Sequence, residues 1–202
     1  MTRRIGVLSS GRGENLRYII EGTLTGYIPA EVKIVLADDE NAGALRISRE
    51  YGVKAIFVDP QGLSQSQHDG ILISYFDDAS VDLVVLTGYM RILSPHFVEH
   101  YRNSILNIHP ALLPSFRGVN AFQQALDYGV KWTGTTVHLV DEEVDHGPIV
   151  YQVPVKVRED DTYESLKARV QRAEFRAFPR AIKRFIEGRP KLSGRKLVFE
   201  ER

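Results

Sequence analysis

Short apolar segments alternate with amphipathic segments along the first half of the chain. Apolar runs of strand length lie at residues 5–8, 32–37, 54–58, 81–87 and 104–109. Between these runs, apolar residues recur at helical spacing, which predicts helices over 15–21, 42–51, 64–76 and 94–101. This alternation favours right-handed βαβ units and a parallel sheet.

Polar and conformationally special residues mark where several helices begin and end. Ser94 with Pro95 is typical of an N-cap followed by proline in the first helical position. Asn120 is expected to cap a helix that ends near Gly129. Thr162 opens a long segment with an apolar stripe at helical spacing, which predicts the longest helix of the chain.

The second half also contains two segments dense in Thr and Val, at 133–140 and 149–155, which predict further strands. Pro179 is expected to kink or restart the long helix, because proline lacks the amide hydrogen that the helix needs. The basic tail ends in an apolar stretch at 197–199, where we expect a short edge strand.

These elements together predict an α/β fold with an open, mostly parallel, twisted sheet and helices on both faces, a Rossmann-like architecture. We find no internal repeat and no convincing linker in the sequence. Residues 1–189 are therefore expected to form a single domain, and residues 190–202 a C-terminal tail.

The amino-acid composition limits the functions that are open to this protein. The 202 residues are 43% hydrophobic and 26% charged, with a formal net charge of zero, so nothing favours nucleic acid or an acidic membrane as a partner. The absence of cysteine excludes disulfides, thiolate metal sites and thiol nucleophiles. No apolar run reaches the length of a membrane span, and no secretory signal is recognisable, which predicts a cytoplasmic protein.

The end of the fifth predicted strand carries the clearest candidate chemistry. Asn107 and His109 are two positions apart, so they point to the same face of the strand, while Ile108 points to the other. A neighbouring amide and imidazole can polarise a carbonyl and move a proton.

A glycine-rich turn follows the first strand. Gly11 and Gly13 would let a phosphate approach the backbone at a helix N-terminus, although a simple tight turn is an equally good interpretation. Leu16 stands where a dinucleotide-binding motif needs its third glycine. We expect Glu14 to point outward, away from any phosphate, and Arg12 to offset part of its charge.

An acidic loop at 141–145 follows the strand that carries His138. Asp145 precedes a Gly-Pro turn and could orient the imidazole of His109, whereas the other acids are typical of a solvated face. His138 is expected to make a structural hydrogen bond. The remaining histidines are expected to lie on the surface or in loops without a functional cluster, namely His68, His96, His100 and His146. No spacing indicates a metal site.

Several segments, in order along the chain, carry a resemblance to a known family. They are residues 10–16, 88–94, 107–114, 134–138 and 145–149. From about residue 4 to residue 189 the chain resembles the phosphoribosylglycinamide formyltransferases, which belong to the formyltetrahydrofolate-dependent formyltransferases.

The resemblance implies transfer of a formyl group from 10-formyltetrahydrofolate, as co-substrate, to the amino group of glycinamide ribonucleotide in purine biosynthesis. It implies that Asn107 holds the formyl oxygen, that His109 stabilises its charge and helps to move the proton, and that Asp145 orients His109. It also implies a Rossmann-like formyltransferase fold, no covalent enzyme intermediate, no metal, and small-molecule partners only. The chain is expected to be a monomer or a homodimer.

The same resemblance implies binding residues for both substrates, with phosphate binding in the N-terminal half and folate binding and catalysis in the C-terminal half. The phosphate and ribose would be bound by Gly11, Arg12, Gly13, Glu14, Asn15 and Glu174. The folate would lie against Met90, Arg91, Ile92, Leu93, Val140, Asp141 and Val144. Core packing is the alternative role of Met90, Ile92 and Leu93, and we favour it for Leu93.

Three positions depart from the family pattern. Glu14 stands where serine or threonine is usual, residues 66–68 lack a basic residue often found nearby, and Arg117 stands where proline is common. The alternatives are another formyltetrahydrofolate-dependent formyltransferase, a formyltetrahydrofolate hydrolase, or a non-catalytic nucleotide-binding domain with the same fold.

Overall fold

The structure is a computed structural model that describes residues 2–199. Met1 and the last residues of the predicted tail, 200–202, lie outside the described residues. The strands are β1 (Arg3–Ser9), β2 (Ala30–Ala37), β3 (Lys54–Phe57), β4 (Leu83–Leu86), β5 (Ile105–His109), β6 (Trp132–Leu139), β7 (Ile149–Lys156), β8 (Lys191–Ser193) and β9 (Lys196–Val198). The helices are α1 (Glu14–Leu24), α2 (Gly43–Glu50), α3 (Gln65–Asp78), α4 (Pro95–His100), α5 (Ala121–Tyr128) and α6 (Tyr163–Gly188).

The main sheet has the strand order β3-β2-β1-β4-β5-β6-β7. β1 pairs in parallel with β2 and β4, β2 pairs in parallel with β3, and β7 runs antiparallel to β6. The predicted fold class, an α/β fold with a mostly parallel sheet, is therefore confirmed. In the described part of the chain, no helix is long and apolar enough to cross a membrane.

The chain divides into two compact units, and the division falls between Leu106 and Asn107, inside β5. In the first unit, β1 and β4 are buried along almost their whole length. Gly6 of β1 leaves room for the Phe76 ring of α3, since a Cβ at Gly6 would lie 2.7 Å from that ring. The single domain expected over residues 1–189 stays a prediction.

In the second unit, β6 and β7 form an antiparallel hairpin against which α6 packs. α5, α6 and Val157, which directly follows β7, form a small apolar core made of Phe122, Val157, Leu166 and Val170. α6 continues through Pro179, so the restart predicted there is wrong. Proline removes only one backbone hydrogen bond, and burial of the apolar stripe on both sides of Pro179 keeps the helix intact.

The predicted helix caps have mixed outcomes. Ser94 and Pro95 begin α4 as predicted, since the Ser94 hydroxyl accepts from the Phe97 amide at 3.3 Å. Asn120 occupies the N-cap position of α5, but its side chain makes no capping hydrogen bond. Its φ of 59° is left-handed, whereas a capping side chain needs extended backbone, so the predicted cap is wrong.

The C-terminal tail forms its own two-stranded sheet. β8 and β9 pair with each other, with Leu192 opposite Leu197, and Gly194 supplies a left-handed turn at φ 60°. The short strand predicted at the end of the tail is present as β9, and its partner is β8. A two-residue turn with glycine pairs neighbouring strands first, because that closes the shortest loop.

One buried carboxylate fixes the start of α6. Asp161 accepts hydrogen bonds from the Arg158 amide, the Ser165 hydroxyl and the Arg169 guanidinium, the first two at 2.7 Å. Arg169 also donates to the Lys156 carbonyl at 3.0 Å, which ties the end of β7 to the helix. The hydrogen bonds from Arg169 are the main reason why the pKa of Asp161 lies well below its ordinary value.

We predict that Asp161→Asn lowers the free energy of unfolding at neutral pH, because an amide cannot accept from all three donors. Since the pKa of Asp161 is lowered in the folded state, its contribution exists above the ordinary carboxyl range and disappears as pH falls through the folded value. Urea unfolding at pH 7 and pH 3 measures both effects. A difference between wild type and variant that is equally large at pH 3 and pH 7 would contradict the assignment.

Candidate active site

Asn107, His109 and Asp145 meet in the second unit. The end of β5 places the first two on one face, and Asp145 comes from the loop between β6 and β7. The His109 Nδ1 atom lies 3.0 Å from Asp145 Oδ2, and Asn107 Nδ2 lies 3.4 Å from Asp145 Oδ1. The His109 and Asp145 side chains are only 5% and 10% exposed. The structure therefore brings together the three residues that the sequence singled out for catalysis.

His138 adds a fourth member that the sequence interpretation assigned only a structural hydrogen bond. Its Nδ1 atom makes that bond, 2.8 Å from the Leu139 carbonyl oxygen. Its Nε2 atom lies 3.3 Å from Asn107 Nδ2 and 3.5 Å from Asp145 Oδ1. The sequence did contain a signal for this role of His138. Side chains on a strand alternate between its two faces, and His138 is a polar residue at a position of the strand that is buried.

The hydrogen-bond partners define which ring atoms carry hydrogen. His138 donates from Nδ1 to a carbonyl, which leaves Nε2 to accept from the Asn107 amide. His109 faces acceptors on both sides, Asp145 at Nδ1 and the Phe116 carbonyl oxygen at 2.7 Å from Nε2. Each ring nitrogen of His109 therefore faces an oxygen atom that can only accept a hydrogen bond.

The backbone of the loop between β6 and β7 delivers Asp145 at some conformational cost. Asp145 has a left-handed φ of 49°, which is unusual for a residue other than glycine. Gly147 must be glycine, because a Cβ there would overlap the Leu139 carbonyl oxygen. The Leu139 amide donates to the Pro148 carbonyl at 2.8 Å and closes the base of the loop.

Hydrogen bonds keep the buried Asp145 carboxylate ionised. Burial alone would raise its pKa, but His109 and the Gly118 amide, which donates to Oδ2 at 2.9 Å, outweigh that effect. The pKa of Asp145 therefore lies far below the ordinary value. The site thus holds a fixed negative charge next to the His109 ring.

The glycine-rich turn lies in the first unit, between β1 and α1. Gly13 has a φ of 78°, and a Cβ there would lie 2.7 Å from the Ala44 Cα of α2, so the tight turn itself requires this glycine. A Cβ at Gly11 would lie 3.9 Å from the Gly88 carbonyl oxygen, an ordinary contact distance, so packing does not require glycine there. Arg12 and Glu14 are exposed, and Glu14 lies in the first turn of α1. Phosphate binding at this turn stays a prediction.

The residues predicted to bind folate differ in exposure. In the first unit, Met90 and Ile92 are 72% and 65% exposed, so core packing is excluded for them, whereas Leu93 is buried as favoured. The Ile92 carbonyl accepts from the Gln65 side chain at 2.7 Å. Arg91 is partly buried. In the second unit, Val140 and Asp141 are partly buried and Val144 is exposed.

Other side chains also depart from what was expected. Glu174 of α6, which the resemblance assigned to the ribose, is buried, with 7% of its surface exposed. His68 is buried instead of lying on the surface, with Nε2 3.1 Å from the Val58 carbonyl oxygen. His100 and His146 each contact a carboxylate, Asp77 at 3.0 Å and Asp141 at 2.8 Å. The surface or loop position predicted for His68 is therefore wrong, whereas His100 is exposed and His146 lies in a loop, as predicted.

No group of three or more metal-ligating side chains is placed to hold a metal ion in residues 2–199. The candidate site therefore consists of amide, imidazole and carboxylate groups. Such a set can donate hydrogen bonds to a developing oxyanion and transfer a proton.

Comparison with known proteins agrees with this chemistry. A family model described as formyl transferase matches residues 3–182. The chain belongs to the formyl transferase family.

The names of individual relatives are more specific than the description of the family. The chain is 40% identical over 191 residues to the phosphoribosylglycinamide formyltransferase of Haemophilus influenzae, covering 94% of this chain and 90% of that protein. It is 40% identical over 189 residues to the Escherichia coli protein of the same name, covering 93% and 89%. The crystal structure of glycinamide ribonucleotide transformylase 1 from Symbiobacterium toebii superposes with a TM-score of 0.97 and 43% identity, covering 99% of this chain and 95% of that chain.

We predict that Asp145 contributes stability at neutral pH that the protein loses in acid. Because the folded-state pKa of Asp145 is lowered, its ionised form stabilises the fold above the ordinary carboxyl range, and this contribution is lost as pH falls through the folded value. The difference in the free energy of unfolding between wild type and Asp145→Asn should shrink as pH falls from 7 to 3. Parallel unfolding curves of the two proteins across this range would refute the prediction.

Proposed function

We propose that this protein transfers a formyl group from 10-formyltetrahydrofolate to the amino group of glycinamide ribonucleotide, in de novo purine biosynthesis in the cytoplasm. The observation that carries the proposal is the contact of Asn107, His109 and Asp145 in a protein of the formyl transferase family. The names of the relatives, and their coverage of nearly the whole chain, support this choice of donor and acceptor.

Direct acyl transfer places three demands on the site. The amine must attack the formyl carbon, the tetrahedral oxyanion must be stabilised, and a proton must pass from the amine to the departing folate nitrogen. In our proposal the Asn107 amide and the His109 ring donate to the oxyanion, and His109 assists the proton transfer. The fixed charge of Asp145 keeps the His109 ring oriented. No covalent enzyme intermediate is needed.

The contact between His109 and Phe116 supports this role. His109 Nε2 already donates to a carbonyl oxygen, that of Phe116, at 2.7 Å. The formyl oxygen would make the same kind of contact in its place. Asn107 Nδ2 is held by Asp145 and His138 at 3.4 and 3.3 Å, distances typical of weak hydrogen bonds that an oxyanion could outcompete.

The binding residues for the rest of each substrate are also part of the proposal. We assign the acceptor phosphate to the backbone amides of residues 11–15, at the start of α1, and the ribose to Glu174. We assign the folate to residues 90–93, whose exposed Met90 and Ile92 are available for contact, and to the loop residues Val140, Asp141 and Val144. Both substrates are small molecules.

We predict that the purified protein transfers the formyl group when glycinamide ribonucleotide is present, and that turnover depends on this acceptor. Absorbance of the folate product measures the rate. Folate turnover without any acceptor would instead indicate a hydrolase, and turnover with a different amine alone would indicate another formyltransferase. Binding of both substrates without turnover would favour a non-catalytic domain.

We predict that His109→Ala lowers kcat by roughly 100- to 1,000-fold, because the oxyanion loses a donor and the proton loses its carrier. KM for either substrate should change far less. His96→Ala is the matched control, since His96 is an exposed histidine of α4, and it should keep the wild-type kcat. Near-wild-type kcat in folded His109→Ala would disprove the proposed role, and circular dichroism checks that the variant is folded.

A further inference from the structure

The turn of the C-terminal hairpin contacts the loop that carries Asp145. Arg195, between β8 and β9, places Nη1 2.6 Å from the Nε2 atom of His146. Its Nη2 atom donates to the carbonyl oxygen of the same residue. A guanidinium with two contacts on one residue holds both the side chain and the backbone of His146.

The chemistry of these contacts determines the state of the His146 ring. Arginine can only donate, so the Nε2 atom of His146 must accept. The hydrogen of the ring then resides on Nδ1, which donates to Asp141 Oδ2 at 2.8 Å. Arg195, His146 and Asp141 thus form a chain of hydrogen bonds from the hairpin across the loop.

This chain reaches the residue next to the catalytic carboxylate. His146 follows Asp145 directly, and Asp145 has a left-handed φ of 49° that its surroundings must maintain. The Asp145 Oδ2 atom lies 3.0 Å from His109 Nδ1 and accepts a hydrogen bond from the Gly118 amide at 2.9 Å. On its C-terminal side, Asp145 is followed by His146, and Arg195 holds the carbonyl of His146 in the peptide that links it to Gly147.

We propose that Arg195 is a positioning residue for formyl transfer: it braces His146, and thereby keeps the Asp145 carboxylate on His109. This inference rests on the proposed function. Without Arg195, the His146 ring and carbonyl lose their donors, and the strained Asp145 backbone relaxes. The Asp145–His109 contact then becomes a minor rather than the dominant arrangement.

The kinetic test compares Arg195→Ala with Lys196→Ala, an exposed neighbour on the same hairpin. Misplacing a catalytic group by about 1 Å can cost on the order of 100-fold, so we expect a partial loosening to lower kcat by roughly tenfold. KM for the acceptor should change less than about twofold, because kcat, not acceptor binding, depends on His109 in the transition state. Lys196→Ala should match wild type.

Two further variants test whether Arg195 acts through His146. Arg195→Lys keeps a single donor in place of two and should retain an intermediate kcat. In a His146→Ala background, Arg195→Ala should add clearly less than its effect in the wild type, since coupled residues are not additive. Independent, multiplicative effects would overturn the proposed route through His146.

A readout without substrates separates this inference from the proposed function. Nitrogen-15 chemical shifts of the His109 ring report the contact with Asp145, and they should change in Arg195→Ala but not in Lys196→Ala. If wild type transfers no formyl group but these shifts change, the proposed function fails and the positioning role of Arg195 stands. If the shifts and kcat of Arg195→Ala equal those of wild type, the inference is wrong.

Discussion

A buried carboxylate surrounded by hydrogen-bond donors is the interaction on which the rest of this site depends. An ionised group such as Asp145 is costly to bury unless donors replace the lost water. His109, the Asn107 side-chain amide and the Gly118 backbone amide supply these donors, and the charge that they stabilise in turn orients His109. The same hydrogen bonds therefore contribute to folding and prepare the proposed chemistry, so the site is formed by the fold itself.

The loop between β6 and β7 bears the cost of this arrangement. Asp145 adopts a left-handed backbone, and Gly147 must lack a Cβ so that the chain can pass the Leu139 carbonyl. Strain of this kind persists only where surrounding contacts maintain it. The closed base of the loop and the contacts from Arg195 are such restraints, which explains why a hairpin remote in sequence bears on the candidate site.

Most of the fold could be predicted because buried apolar positions recur along the sequence with the period of a helix or a strand. The apolar run at 81–87 predicted a strand, and β4, at Leu83–Leu86, is buried along its whole length. The helix at Pro179 was wrongly predicted because the effect of one residue was weighed above the packing of the whole helix. Pro179 removes a single hydrogen bond from a helix that packing stabilises along 26 residues. Which strand pairs with the tail strand depended on the turn between them, and a pattern of apolar residues does not show where a chain turns.

Local periodicity and residue identity are sufficient to infer the class of the fold, the shared face of Asn107 and His109, and the residues that carry the family resemblance. The packed structure was needed to show that Asp145 reaches His109, that His138 joins them, and that Met90 and Ile92 are exposed while Glu174 is buried. Contacts between residues about thirty positions apart or more depend on how elements pack, and no local pattern specifies that packing.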